Sequence, residues 1–349
     1  MKAVRLYKKN DIRIEEIEFK NDLNPDEVLI EICYAGICGS DLHNFKTGAW
    51  ISRSPSTPGH EFSGKVIKVG EDITKFDLDD HVVADSRVSC RNCLYCNKKK
   101  FHLCQNLGFV GELNDGGFAK FSIQKEEQLI KVSKSLDLKH AALLEPLAVS
   151  MHAVSSFKKS EHNNVLIVGL GPIGVLSALY LRAIGVKNIK VFDTNHKRLN
   201  RVSKDLNFTV FNENSLIDEN KPNYCLDATN SAKAITYILN NISKGGTVSL
   251  VGLSHELSSI EMYKIVENGI TLKGCAAFDD ELEKSEIVLK NISNDINKII
   301  SNPIKLDEVP IYYQMLQMTA SILIFIMLLR LFIVLSQLRL PFIKMSLVS

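Results

Sequence analysis

Val165-Leu166-Ile167-Val168-Gly169-Leu170-Gly171-Pro172-Ile173-Gly174 decides the fold of the second half of the chain. Four apolar residues in succession predict a short strand buried on both faces of a parallel sheet. The pattern G-x-G-x-x-G closes that strand and opens a helix-compatible stretch from Pro172 to Ile184. In this setting Gly169 allows the tight turn, Gly171 lets the backbone approach a pyrophosphate, and Gly174 lets helix and strand pack closely. Pro172 suits a first helical turn, where its missing N–H costs nothing. The free N–H groups of that turn, Ile173 among them, and the helix dipole favour phosphate.

Reading outward, Asn188–Phe192 is a second apolar strand, ending at Asp193, with a helical stretch to about Leu206. A carboxylate at Asp193 can accept from an adenosine ribose and repels a 2′-phosphate, which favours NAD over NADP. Lys197 and Arg198 lie close by and weaken that preference. A turn aspartate without a ligand is the alternative. Tyr224–Asp227 and Thr247–Val251 are further strands with a helix-compatible segment between them. Strand alternating with helix predicts an α/β fold, a doubly wound parallel sheet.

The front of the chain differs. Val28–Ile32, Gly64–Val69 and His81–Ala84 have strand character, so residues 1 to about 130 read as a mostly β domain. Four of the eight cysteines fall at Cys90, Cys93, Cys96 and Cys104. Four thiolates at this spacing suit a tetrahedral zinc whose every position is filled, hence a structural site. A disulfide framework is the alternative, disfavoured because Met1-Lys2-Ala3-Val4-Arg5 does not read as a secretory signal; a cytoplasmic location is expected. The composition, 45% hydrophobic and 23% charged, is that of a globular protein. A net charge of +2 argues against a broad nucleic-acid or membrane surface.

Two more fragments carry ligand chemistry, Gly36-Ile37-Cys38-Gly39-Ser40-Asp41-Leu42-His43 and Gly59-His60-Glu61-Phe62-Ser63-Gly64. A cysteine, a histidine and a carboxylate can hold zinc and leave a position open. Taken singly, Cys38 and His60 read equally as core residues.

Together with the four-cysteine lobe and Leu144-Glu145-Pro146-Leu147-Ala148-Val149, these fragments resemble the zinc-dependent medium-chain alcohol dehydrogenase family over about residues 1 to 275. Within it the chain is similar to the polyol and diol branch: sorbitol, 2,3-butanediol, threonine and galactitol-1-phosphate dehydrogenases. The resemblance implies a GroES-like catalytic domain at 1–150, with the structural-zinc lobe at 88–106. It implies a Rossmann domain at 151–285, a return to the first domain at 286–320, and an atypical tail at 321–349. It also implies two zinc ions per chain. Cys38, His60 and Glu145 would hold or approach the catalytic one, with Glu61 as an exchangeable ligand; Cys90, Cys93, Cys96 and Cys104 would hold the other. Asp41 would orient His60. Hydride would pass from a small polyol or secondary alcohol to NAD, and Ser40 and His43 would carry the proton out, unless they are only a turn former and a surface histidine. A homodimer or homotetramer is implied.

Other expectations are looser. Trp50 and Phe109 would wall the substrate pocket or simply pack. Arg53 would bind phosphate if the substrate is a sugar phosphate, or else lie in solvent. Lys98-Lys99-Lys100 reads as a solvated tip, and Cys33, Cys225 and Cys275 as core. The tail departs from the family: after Gly274 the chain has no glycine, and from Leu316 on no acidic residue. A membrane anchor, interrupted by Arg330, a divergent buried or interfacial helix and an out-of-frame or truncated gene end all fit; the last is favoured, and on it the family's closing strand would be missing. A dehydrogenase for a phosphorylated polyol is the second functional reading. An inactive or membrane-tethered NAD-binding remnant is the third.

Overall fold

A computed structural model describes residues 1–19, 21–160, 163–217, 220–229, 231–253, 260–318 and 326–328. The second domain is built on a six-stranded parallel sheet. Its spatial order is Thr209–Val210, Ile189–Phe192, Val165–Val168, Tyr224–Asp227, Thr247–Leu250, Thr271–Gly274. Val165–Val168 is thus a central strand, and the strand order reverses beside it, where a crevice for a ligand opens. The unbroken apolar run has a direct cause. Val165 and Ile167 face one core, shared with the helix Pro172–Ala183, while Leu166 and Val168 face another, shared with Ala232–Asn241. Leu166 and Ile167 are fully buried. Burial of each such side chain contributes roughly 1.5–3 kcal/mol.

The first domain centres on the long strand Glu27–Gly36. It pairs antiparallel with Glu61–Val69 along its length, and on its other side with Phe121–Lys125 and Ile326–Leu328. His81–Ala84 and Leu129–Val132 extend the sheet, and Lys2–Lys8 with Asp11–Glu16 forms a separate hairpin. The three strands expected here are present. The boundaries expected near residues 150 and 285 fall inside helices, Leu144–Ala153 and Glu281–Ile299. These two helices pack in one core with side chains of both domains, including Val83, Val132, Leu147, Leu176 and Leu289.

The expected lack of a closing strand is corrected. Ile326–Leu328 lies between Ile304–Lys305, which it joins in parallel, and Glu27–Gly36, with Met327 opposite Ala35. Strand pairing uses backbone groups, so a three-residue apolar segment can close a sheet edge without the family's usual glycine turn. The rest of the 321–349 tail lies outside the described residues. Among the described residues no helix is long and apolar enough to cross a membrane.

Candidate active site and metal centres

Gly39–Thr47 forms a helix, and Cys38 stands at its N-terminus. The Cys38 amide donates to Asp41 Oδ2 at 3.0 Å, so the aspartate closes the helix start and is itself fixed. His60 and Glu61 come from the edge of the neighbouring strand, Glu61–Val69. Glu61 pairs with Gly36, and a Cβ on that glycine would lie 2.2 Å from Glu61 Oε2. The glycine therefore makes room for the carboxylate.

The ligand atoms of Cys38, His60 and Glu61 all lie within 4.8 Å of one another. His60 and Glu61 are buried, and His60 turns Nδ1 toward Asp41 Oδ1 at 3.6 Å. That leaves Nε2 for a ligand; Ser40 Oγ stands 3.4 Å from it. Glu145, at the start of the helix Leu144–Ala153, is outside this trio, and its Oε1 accepts from Ser86 Oγ at 2.6 Å. It is near enough to act on the charge of both Cys38 and His60.

The electrostatics of this group call for a cation. Burial, then Asp41 and Glu145, push the Cys38 thiol up to about 12. Burial also raises the carboxyls of Glu61, Glu145 and Asp41. Burial lowers His60, but Asp41, Glu145, Glu61 and Glu112 overcome it and hold the imidazole up at about 9. Several acids and a thiol share one low-dielectric space, and a divalent ion is the group that would let them ionise together. The donor set thus fits zinc, with fewer than four protein ligands in the trio itself.

The cysteine lobe is a different kind of site. Cys90, Cys93, Cys96 and Cys104 bring their sulfurs within 4.8 Å of one another. Cys104 Sγ is 3.4 Å and Cys96 Sγ 4.0 Å from Cys90 Sγ, far beyond a disulfide bond, and all eight cysteines are free. Backbone N–H groups of Cys96 and Gln105 bring the Cys93 thiol down to about 6, whereas burial lifts Cys96 to about 11. Four sulfurs fill a tetrahedral zinc and leave nothing open.

In the second domain the glycine turn has the expected form. Gly169 has φ +93°, and a Cβ on Gly174 would lie 1.9 Å from Gly169 O. A Cβ on Gly171 would meet nothing within 4 Å, so the space over the helix start at Pro172 and Ile173 is open. Asp193 stands at the end of its strand, nearly buried, with Arg198 Nη1 3.6 Å from Oδ2. Its Oδ2 accepts from Leu170 N and its Oδ1 from Asn195 N, both at 2.7 Å, so it also ties the glycine turn to the next strand.

The looser expectations divide. Phe109 brings its ring centroid to 6.4 Å from His60, and Trp50 lies at 4.7 Å from His43. Arg53 is not a bare loop arginine: its Nη2 is 2.6 Å from Asp115 Oδ1, which Arg5 also contacts at 3.2 Å. Cys33, Cys225 and Cys275 are buried, as expected. Lys98, Lys99 and Lys100 are exposed, as expected, and Lys100 also pairs with Asp279 of the second domain, where the lobe folds against the N-terminus of Glu281–Ile299. Beside it, Arg87, nearly buried, donates to the Phe278 and Asp279 carbonyls at 2.6 and 2.7 Å and pairs with Asp85. His152 Nδ1 lies 2.9 Å from Glu281 Oε1. This joint was not legible from the sequence, nor was Ser86 behind Glu145; both depend on contacts between distant segments.

An antiparallel domain bearing an open and a closed ligand cluster, joined to a dinucleotide-type parallel sheet, is the architecture of a two-domain alcohol dehydrogenase. Residues 24–134 match the alcohol dehydrogenase GroES-like domain, and residues 172–294 match the zinc-binding dehydrogenase family. The chain belongs to the zinc-dependent medium-chain alcohol dehydrogenases. It is 27% identical over 322 residues to the sorbitol dehydrogenase of Bacillus subtilis, covering 88% of this chain and 91% of that one. It is 36% identical over 247 residues to the (R,R)-butanediol dehydrogenase of Saccharomyces cerevisiae, covering 61% of this chain and 63% of that one. Among solved structures, 2R,3R-butanediol dehydrogenase from Bacillus subtilis superposes with a TM-score of 0.83 at 25% identity, covering 94% and 99% of the two chains. Galactitol-1-phosphate dehydrogenase from Escherichia coli, at 23% identity, has a TM-score of 0.86 over 94% and 100% and speaks for the fold alone.

Proposed function

We propose that this chain oxidises a small uncharged polyol or secondary alcohol and passes the hydride to NAD. The observation that carries the reading is the convergence of Cys38, His60 and Glu61 within 4.8 Å, in a buried site rich in acids. When bound, zinc supplies a Lewis acid and the nicotinamide supplies the hydride acceptor. Cys38 and His60 would hold the metal, and Glu61 or Glu145 would complete its ligand set; Ser86 keeps Glu145 in place. Asp41 holds Nδ1 of the His60 ring, so that Nε2 would be the nitrogen offered to the metal. Ser40, beside His60 Nε2, takes the proton of the substrate hydroxyl, and His43, against Trp50, hands it on. Gly171 admits the pyrophosphate at the helix start, and Asp193 favours NAD over NADP. Cys90, Cys93, Cys96 and Cys104 would hold a second zinc, which would tie the lobe together. A reducing, cytoplasmic location accords with eight free cysteines, and a homodimer or homotetramer is part of the same proposal.

Charge favours an uncharged substrate over a phosphorylated polyol. Arg53, the basic residue that would bind phosphate, is engaged by Asp115. Glu112 lies on the turn after Phe109, close enough for its charge to act on His60. The test is a panel of polyols, diols and their phosphates with NAD and NADP on metal-assayed protein. Two zinc ions per chain and polyol-dependent reduction of NAD are expected, and Glu112→Gln should narrow the preference for uncharged substrates. Full activity in metal-free protein would falsify the zinc mechanism. Preference for a polyol phosphate would establish the second reading, and bound NAD without turnover on any alcohol the third.

A further inference from the structure

Tyr313 lies on the last described helix, Val309–Met318, and is fully buried. Its ring meets Phe45 edge-on at 5.5 Å and Phe118 edge-on at 6.3 Å. Phe45 is on the same helix as Asp41, one turn further along. Phe118 covers Gly59, where an added Cβ would lie 2.4 Å from the ring. The two rings that enclose Tyr313 therefore pack on the two segments that carry Cys38, Asp41, His60 and Glu61.

The Tyr313 hydroxyl has no hydrogen-bond partner among the described residues. A buried hydroxyl left unpaired is destabilising, and a phenylalanine would fill the same space without that cost. An orphaned buried hydroxyl calls for an explanation, and an unseen partner at a functional site is one. Burial pushes this hydroxyl upward, and the charges that add to it are those of Asp41 first, then Cys38 and Glu61. Asp41 already accepts from the Cys38 amide and faces His60 Nδ1, and a carboxylate retains further acceptor sites.

We infer that Tyr313 is a positioning residue of the metal centre: its hydroxyl reaches the Asp41 carboxylate through one bound water and so steadies the His60 ring. The inference rests on reading Cys38, His60 and Glu61 as a metal site. It also makes the helix beyond residue 309 part of the active centre. Groups that orient metal-binding histidines typically carry 10–100-fold in metal affinity.

The test compares full-length wild type with Tyr313→Phe, the cysteine lobe zinc-loaded and the second site titrated with Co2+ alone. In the variant, affinity for Co2+ falls about tenfold or more and the d–d absorption bands shift, while the metal-free thermal midpoint stays level or rises. In an Asp41→Asn background the same substitution has no further effect on Co2+ affinity. Unchanged affinity and spectrum in Tyr313→Phe overturn the inference, as does a full additional loss in the Asp41→Asn background. A wild type that takes up no Co2+ beside the zinc of the lobe overturns the metal-centre reading itself, and the inference with it.

Discussion

The two ligand clusters of this molecule use cysteine in opposite ways. In the lobe, four cysteines lie within one short stretch and their sulfurs close on one another. Backbone N–H groups bring Cys93 down to about 6, so part of the charge needed for metal binding is prepared by the local chain. In the reactive cluster a single thiol, Cys38, is pushed up to about 12 by burial and by Asp41 and Glu145. Its partners come from other segments and are acids or an imidazole. The lobe is a closed site made by local chain geometry. The Cys38 cluster is an open site made by tertiary structure; its acids and thiol repel one another when ionised, and His60 alone is drawn to them.

The contrast breaks most visibly through paired substitutions. On the proposed zinc mechanism, Cys38→Ser should reduce turnover on the order of a thousandfold, since several kcal/mol of charge stabilisation would be lost with the metal. Its thermal midpoint should change little. Cys93→Ser should do the reverse: lost zinc from the lobe and a lowered midpoint, with turnover per folded molecule largely retained. Metal analysis, thermal unfolding and steady-state rates on both variants decide the matter. If both lose only stability, the division into reactive and structural sites is wrong.

The same contrast of open and closed recurs in the nucleotide turn, and there it can be sharpened. A Cβ on Gly174 would lie 1.9 Å from Gly169 O, whereas one on Gly171 would meet nothing within 4 Å. Gly174→Ala should therefore destabilise the domain by about 1–3 kcal/mol, the usual cost of overpacking. Gly171→Val should leave the unfolding midpoint within error and raise the KM for NAD, since the added bulk occupies only the ligand's space. Equal midpoints for the two variants would show that the turn relaxes around an added side chain.

What could be read in advance follows the same division. The lobe and the glycine turn are local patterns, so spacing alone exposed them, and the strands around Val165–Val168 came with the turn. Cys38, His60, Glu61 and Glu145 were visible only as family motifs, because nothing in their spacing says that residues so far apart meet. Ser86, Glu112 and Tyr313 carry no local signature at all. Each matters through what folds against it: Ser86 through its hydroxyl on Glu145, Tyr313 through rings from two other segments. The closing strand was misjudged for a related reason. Backbone pairing to Tyr34–Gly36 depends on an available edge, not on the glycine turn whose loss the sequence displays.

The smallest effect tests how the lobe side is joined to the second domain. Glu281 starts the helix Glu281–Ile299 and faces His152 at 2.9 Å. Burial alone would raise its carboxyl. The hydrogen bond with His152 and the Asp279 N–H outweigh that and hold it at about 2, against an ordinary 4.5. The folded pKa is depressed, so this stabilisation is present above about pH 4.5 and is lost as pH falls toward 2. Allowing for solvent screening, it amounts to about 2 kcal/mol. Glu281→Gln should lower the thermal midpoint at pH 7 and bring the two proteins together as the pH drops below 4.5. The Lys100–Asp279 pair and the Arg87 bonds stay in place, so activity at pH 7 should be nearly retained. A constant gap between the two midpoints as the pH falls from 4.5 toward 2, the window over which the linkage acts, would mean that the Glu281 charge contributes nothing to the joint and that only its packing does.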